Sequence, residues 1–346
     1  MNAPALFAAS KETLVTLVIG AVGAALGWAL NAPVFMLLGP AVAVSVAGLS
    51  GLRCGIDVRL RDACFVILGI AVGAGFDNDA LGAMLRWPVA FLFMAVVLWA
   101  IMFICQVMLV RFFAFDARSA ILASAPGHLS FVIAIAADTG GDVVRISMTQ
   151  SVRLLSLTLV VPFVALAMGI EVSSNVAPQG VLMQVPVLGA VVIAAVALGL
   201  VFQRLKVPAP LLLGAMVVSG IGHLTNLAPG VLPEWLILPA FLVLGALIGT
   251  RFSGVTLAHL MRGLAAGVAI TGVAVGCAGL ASMPVAWALG MPVAHVLVAF
   301  APGGLETMIA MGAVLGVVPG FVAACHVARL MVLTVLVPAM LGRVRD

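Results

Sequence analysis

The sequence predicts an all-α, polytopic inner-membrane protein with two inverted repeats, each of about five transmembrane helices plus one re-entrant Pro-Gly hairpin. Three observations predict this fold: an apolar composition, helix-breaking residues that recur in register in the second half of the chain, and an uneven placement of Lys and Arg. Hydrophobic residues make up 64% and charged residues 8% of the chain, whereas soluble domains are about a quarter charged. The composition therefore excludes a soluble globule.

Two copies of one pattern run through the chain. The sequence APGHL at 125–129 returns as APGGL at 301–305, and Arg153 returns as Arg329. The interval from 125 to 301 is the same as the interval from 153 to 329. A membrane unit whose helix breakers recur in register is typical of transporters with a pseudo-two-fold binding site.

Each half contains six apolar segments. They are 13–30, 33–50, 63–76, 87–110, 118–138 and 144–168 in the first half, and 186–203, 208–223, 234–250, 263–283, 292–314 and 318–341 in the second. The fifth segment of each half is interrupted by Pro-Gly, because proline removes a donor and glycine permits unusual backbone angles. Each arm is then about ten residues, or about 15 Å of helix, which is half the hydrocarbon core.

The Lys and Arg residues favour hairpins over crossings at these interrupted segments. Cytoplasmic loops carry the excess of Lys and Arg. With hairpins and a cytoplasmic N-terminus, thirteen of the sixteen basic residues are cytoplasmic and only Arg86 is external; with twelve crossings the split is eight against six. Five crossings per half also invert the second repeat relative to the first, so the two hairpin tips should meet near the midplane.

The predicted organisation has four parts. These are a short cytoplasmic N-terminus (1–12), a first membrane repeat (13–170), an external linker (171–184) and a second membrane repeat (185–346). We expect a bacterial-type inner (plasma) membrane location, with both termini in the cytoplasm. Glycines spaced four apart, at 69 and 73 and again at 245 and 249, predict close helix packing.

The hairpin tips are the predicted binding site. Broken backbone at this depth is tolerated only where protein buries it or where it lines a cavity. The N-terminus of each second arm offers free N–H groups that suit a carboxylate; alternatively, each break is a packing kink that binds nothing. The predicted substrate-binding residues are Pro126, Gly127, His128, Ser130, Gln150, Arg153, Pro302, Gly303, Gly304, Glu306, His326 and Arg329.

Each polar candidate has a second interpretation. Arg153 and Arg329 fall within predicted spans, where a charge by default marks function; alternatively, each ties down the bare carbonyls that end the first hairpin arm. Glu306 serves cation or proton coupling, or offsets a helix dipole. Gln150 and His326 are walls of the site, or make interhelical hydrogen bonds.

Three motifs carry a resemblance to a known family. The run APGGLExM at 301–308, the R-L…P ending at 329–338 and the run PAPLLLGA at 208–215 resemble the AbrB-type duplicated membrane protein family, and the resemblance extends from about residue 14 to 341. The first copy departs from the pattern, with His128 in place of the second glycine and Ser130 in place of the acid. The resemblance therefore does not predict a symmetric site.

The resemblance implies several roles. Family members are labelled as regulators of gene expression or as ammonia monooxygenases. The duplicated layout also resembles the sodium/proton-antiporter and bile-acid-symporter superfamily, and the hairpin variant is similar to the 2-hydroxycarboxylate carriers, with five crossings and one re-entrant loop per repeat. Such a likeness concerns the fold and does not fix the function.

The leading functional hypothesis is a secondary transporter for a small, anionic, carboxylate-type solute. The alternative is a membrane-embedded protein that regulates gene expression indirectly, because no polar stretch could house a DNA-binding domain. An enzyme is not expected, since the histidines are dispersed and no copper or iron ligand set is present. Five cysteines without CxxC spacing indicate neither a metal site nor a disulfide frame. We expect the lipid bilayer and a small molecule or ion as partners, no cofactor and no nucleic acid; a homodimer stays open.

Overall fold

The computed structural model describes residues 3–76, 87–127, 129–169 and 180–342, without the side chains of 3–10 and of Ser130. Within these ranges the chain forms fourteen α-helices, and the only β contact is an isolated bridge between Leu182 and Val231. The helices are α1 (Ala3–Ala29), α2 (Phe35–Leu49), α3 (Val58–Gly73), α4 (Trp87–Phe113), α5 (Ala117–Ser124), α6 (Leu129–Thr139), α7 (Val143–Ala167), α8 (Val185–Arg204), α9 (Pro210–Leu224), α10 (Glu234–Gly249), α11 (Leu257–Leu289), α12 (Val293–Phe300), α13 (Leu305–Val314) and α14 (Pro319–Leu341), with a 3-10 turn at Thr250–Phe252.

Seven helical stretches are long and apolar enough to cross a membrane, counted over the described ranges alone. They are Lys11–Ala29, Trp87–Phe113, Val143–Ala167, Val185–Arg204, Glu234–Phe252, Leu257–Leu289 and Pro319–Leu341. Helices α2, α9 and α13 are apolar but shorter. The predicted all-α, polytopic membrane fold is therefore confirmed, and the bilayer is the environment of the chain.

The helix boundaries repeat at the period of the sequence. Helix α3 begins at Val58 and α10 at Glu234, and the same interval separates Ala117 from Val293, where α5 and α12 begin. Even an unfavourable backbone recurs: Val34 and Ala209, which precede α2 and α9, have φ of 49° and 45°. A left-handed residue with a side chain costs roughly 1–2 kcal/mol. The duplication thus reaches the backbone conformation, while the inverted orientation of the copies stays a prediction.

The chain divides into two compact units, and each unit takes segments from both halves. The first unit is Met1–Gly82, Pro162–Val255 and Ile309–Gly320, and the second is Ala83–Val161, Thr256–Met308 and Phe321–Asp346. The two repeats predicted at 13–170 and 185–346 therefore both contribute to each unit. Residues 171–179 of the predicted linker lie outside the described residues, so the repeat boundaries stay a prediction.

Glycines let the helices of the first unit touch through their backbones. At Gly69 in α3 an added methyl group would strike the carbonyl oxygen of Leu212 in α9, and at Gly245 in α10 it would strike that of Leu37 in α2. Because Leu37 and Leu212 are equivalent positions of the two halves, the same contact is built twice. The close helix packing predicted from the glycine spacing is present.

The second unit has its own apolar core. Buried side chains of α4, α5, α11 and α14, among them Met102, Ile121, Ile270 and Leu333, form one continuous cluster. Its helices also approach closely, because a methyl group on Gly263 of α11 would lie 2.8 Å from the Cβ of Met148 in α7. This unit contains the start and end of both Pro-Gly breaks.

Replacing Gly69 with Ala is expected to lower the thermal unfolding temperature in detergent. The new methyl group would collide with the Leu212 carbonyl and lie 2.6 Å from the Cβ of Ala215, and overpacking costs about 1–3 kcal/mol. The control is Gly189→Ala in α8, where a methyl group meets nothing within 4 Å and alanine favours the helix by about 0.5–1 kcal/mol. Equal unfolding temperatures for the two variants would contradict the packing described.

Candidate functional site

Both predicted breaks are present in the helices. Helix α5 has 8 residues and ends at Ser124, and α6 begins at Leu129 with 11 residues. In the second half, α12 has 8 residues and ends at Phe300, and α13 begins at Leu305 with 10 residues. Pro126 and Pro302 fall inside the two gaps. The arms are therefore about as short as predicted, and their re-entrant course stays a prediction.

Arg153, near the middle of α7, is bound to the first break. Its Nη1 donates to the carbonyl oxygen of Ala125 at 3.1 Å, and its Nη2 donates to Oε1 of Gln150 at 2.6 Å. The Gln150 amide donates in turn to the carbonyls of Leu122 and Ala125, both at 2.9 Å. The Leu122 carbonyl needs this donor, because the residue four positions later is Pro126, which has no N–H.

Arg329, near the middle of α14, makes the equivalent contact at the second break. Its Nη1 donates to the carbonyl of Ala301 at 2.9 Å and its Nη2 to that of Gly303 at 3.3 Å. The side chains of Arg153 and Arg329 are both buried, with 4% and 3% of their surface exposed. The structure thus contains the carbonyl contacts that the second interpretation of the two arginines expected.

Each break also packs on the helix that carries the other half's arginine. A Cβ on Gly127 would lie 3.1 Å from Leu330, the neighbour of Arg329, and a Cβ on Gly304 would lie 3.1 Å from Leu154, the neighbour of Arg153. All of these residues belong to the second unit. The two breaks and the two arginines therefore form one cluster, while a meeting of re-entrant hairpin tips at the midplane stays a prediction.

Several buried polar atoms of this cluster have no hydrogen-bond partner among the described residues. They include Nε of Arg153, Nε of Arg329 and Nε2 of His326. No carboxylate of the described chain forms an ion pair with either arginine. The cluster therefore holds two buried positive charges with unused donors.

The other predicted site residues show no hydrogen bond or ion pair with the two arginines in the described part of the chain. Glu306 lies in the first turn of α13, as a dipole-offsetting acid would, and is partly exposed. His128 lies outside the described residues, and so does the side chain of Ser130. Thr149 Oγ1 and His295 Nδ1 are further unpartnered buried atoms that sequence reasoning missed; their only signal was a polar residue within an apolar segment.

Polar contacts anchor the start of α5, the short helix that precedes the first break. Arg145 donates to the carbonyl of Ala114 at 2.9 Å, and its guanidinium lies 3.8 Å from the centre of the Phe115 ring. Burial raises the pKa of the Asp116 carboxyl, but hydrogen bonds from Ser119 and nearby backbone amides outweigh it, so the pKa lies below its ordinary value.

In the part of the chain that the structure describes, no three His, Cys, Asp or Glu residues stand together as metal ligands.

A family model described as "Transition state regulatory protein AbrB" matches residues 36–345, which is most of the chain. The chain belongs to the AbrB family. The resemblance seen in the APGGL, R-L…P and PAPLLLGA runs is thereby confirmed, and the described helices, breaks and arginines are those of an AbrB-family membrane protein.

Two relatives match across most of this AbrB-family chain. A protein of Escherichia coli (strain K12) named "Putative regulator AbrB" is 26% identical over 299 residues, which cover 82% of each chain. A protein of Bacillus subtilis (strain 168) named "Uncharacterized protein YhjN" is 25% identical over 300 residues, covering 82% of this chain and 78% of the relative. The similarity therefore spans both halves in each case.

Substituting Gln150 with Leu is expected to destabilise this AbrB-family protein by about 1–3 kcal/mol, because the Leu122 carbonyl would be buried without a donor. Thermal unfolding in detergent measures the change. Gln203→Leu is the matched control, since Gln203 is exposed on α8. A Gln150→Leu protein as stable as the Gln203→Leu protein would show that the amide does not support the break.

Proposed function

We propose that this AbrB-family chain is a secondary transporter for a small anionic solute of the carboxylate type, bound between the two Pro-Gly breaks. The observation that carries the proposal is the pair of buried arginines. Among the described residues, neither Nε atom has a hydrogen-bond partner and no carboxylate pairs with either guanidinium. Buried charges are normally paired. The proposed solute is the missing counter-charge.

The cost of the two charges supports this proposal. An arginine at the centre of a spanning helix costs about 2.5–3.5 kcal/mol by insertion scales. The hydrogen bonds to Ala125, Gln150, Ala301 and Gly303 satisfy some of the donors but carry no negative charge. A bound anion would neutralise part of the charge and use the donors that remain.

The free donors favour a carboxylate. A guanidinium presents five N–H donors in a fixed fork that matches a carboxylate through two parallel hydrogen bonds. The Nη atoms of both arginines donate to the breaks or, in Arg153, to Gln150 as well. Neither Nε has a partner among the described residues, which leaves the Nε edge for a solute. The first turns of α6 and α13 add backbone N–H groups and positive dipole character.

The proposed arrangement in the membrane follows the charge distribution. The repeats lie inverted in a bacterial-type inner membrane, the two interrupted segments are re-entrant hairpins, and both termini are cytoplasmic. The site then lies near the midplane, where broken helices of transporters bind their solutes. The protein acts without enzymatic chemistry, cofactor or nucleic acid in this proposal.

Regulation of gene expression is the second candidate function. The family description and the printed name of the Escherichia coli relative both refer to regulation. A protein built of apolar helices would act indirectly, through the solute that it binds or moves. Solute flux separates the two functions, because a regulator that only senses its solute moves none.

Arg329→Ala is expected to abolish anion binding and uptake in a protein that still folds, with a lower unfolding temperature because the Ala301 and Gly303 carbonyls lose their donor. Thermal stabilisation by acetate, succinate, phosphate or sulfate measures binding, and uptake of the same radiolabelled anions into proteoliposomes measures transport. Arg329→Lys keeps a charge but loses the planar fork, so we expect weakened rather than abolished binding. Arg204→Ala, at the exposed end of α8, is the control and should behave as the parent protein.

Two results would contradict the anion site. One is an Arg329→Ala protein that binds the same anions with unchanged affinity. The other is a parent protein that none of the four anions stabilises. Stabilisation without flux would instead favour the regulator.

The inverted arrangement predicts that the linker is external. A single cysteine introduced at Asn175 should react with a membrane-impermeant maleimide added to intact cells, whereas a cysteine introduced at Arg204 should react only after the cells are opened. The native cysteines are first replaced, and labelling of the cysteine-free protein gives the background. Labelling of residue 175 from the cytosolic side alone would contradict the inverted topology.

A further inference from the structure

His326 is a buried histidine with one ring nitrogen free. Its side chain is 0% exposed, and Nδ1 lies 2.9 Å from the carbonyl oxygen of Val322 one turn earlier in α14. A carbonyl only accepts hydrogen bonds, so Nδ1 carries the proton in this contact. Nε2 of the neutral ring is then an acceptor without a partner among the described residues.

The residue at the equivalent position of the first half makes different hydrogen bonds from those of His326. Gln150 is the residue that corresponds to His326 in the first copy, and its amide holds the Leu122 and Ala125 carbonyls while its oxygen accepts from Arg153. Among the described residues, His326 makes none of these contacts and bonds only within its own helix. The second half therefore has a titratable imidazole where the first half has an amide that does not titrate.

The charges around His326 are positive. Arg329 lies three residues later on nearly the same face of α14 and acts electrostatically on the ring, and Arg153 of α7 acts in turn on Arg329. From the hairpin arms, neither Glu306 of α13 nor His295 of α12 forms an ion pair or hydrogen bond with it in the described chain. A proton on Nε2 would add a third positive charge to the cluster.

We propose that His326 takes up a proton at Nε2 when an anion binds at the two arginines, so that solute and proton move together. This inference rests on the proposed function and names the coupling ion for that site. The protonated ring has an N–H on Nε2 that donates to the bound anion, while Nδ1 keeps its bond to Val322. No bond other than N–H is made or broken.

The coupling follows from the balance of charge. Without an anion, a third cation in the cluster is repelled by Arg329. With a carboxylate in place, the repulsion is offset and the added N–H has an acceptor. Because linkage is reciprocal, protonation must strengthen anion binding, and anion affinity should rise as the pH falls through the range in which the ring takes up its proton. One linked proton changes the affinity at most about tenfold per pH unit.

Calorimetry tests the proposal on the full-length protein in detergent. Acetate, succinate, phosphate and sulfate are titrated at about pH 7 in two buffers with different heats of ionisation, and the difference in heat gives the protons taken up per anion, after correction for the anion's own ionisation. We expect uptake of a substantial fraction of one proton by the parent protein. His326→Gln should still bind the anion, with no proton uptake by the protein and with an affinity that changes with pH only through the anion's own ionisation.

The controls are His259→Gln, at an exposed position of α11, and His295→Gln, which removes the half-buried histidine of α12. Both should keep the proton uptake of the parent protein. Uptake that persists in His326→Gln, or that disappears in His295→Gln, overturns the assignment to His326. If His326→Gln does not fold, His326→Asn replaces it in the same titration.

The outcomes separate the two proposals. Anion binding by the parent protein without proton uptake overturns the coupling and leaves the transporter function standing. No binding of any of the four anions overturns both.

Discussion

The structure depends on one requirement: backbone carbonyls exposed by a broken helix must find donors where water is absent. Each Pro-Gly break ends a short helix and leaves carbonyl groups without helical partners. Arg153 and Arg329 supply those donors from the middle of α7 and α14. The breaks and the arginines therefore depend on one another, which explains why they recur together, as a set, in both halves of the chain.

The two halves meet this requirement with different sets of side chains. In the first half, Gln150 and Arg153 both donate to carbonyls at the break, so the Gln150 amide is already used to support it. In the second half, Arg329 alone donates to the carbonyls of Ala301 and Gly303. Among the described residues, His326 makes no hydrogen bond to that break. A duplicated framework thus supports an asymmetric site, consistent with the sequence difference at His128 and Ser130.

Features governed by local backbone chemistry could be predicted from the sequence. Proline and glycine located the breaks at 126 and 302, the apolar runs located the spanning helices, and the glycine spacing at Gly69 and Gly245 predicted close packing. The composition of the two compact units could not be predicted, because α3 meets α9 across more than a hundred residues of chain without a local signal. The different bonding of Gln150 and His326 also escaped prediction, because side-chain direction depends on the surrounding helices.

The glycine seams of the first unit have a mechanical consequence. Where a carbonyl oxygen faces the Cα of Gly69 or Gly245 directly, no flexible side chain lies between the helices to absorb a shift. Close-packed interiors resist compression. If one helix slid past its neighbour, residues with side chains would replace glycine at the contact and collide with the backbone there. Within this unit, α3 with α9 and α2 with α10 should therefore move as rigid pairs, and any change of shape must arise at other contacts.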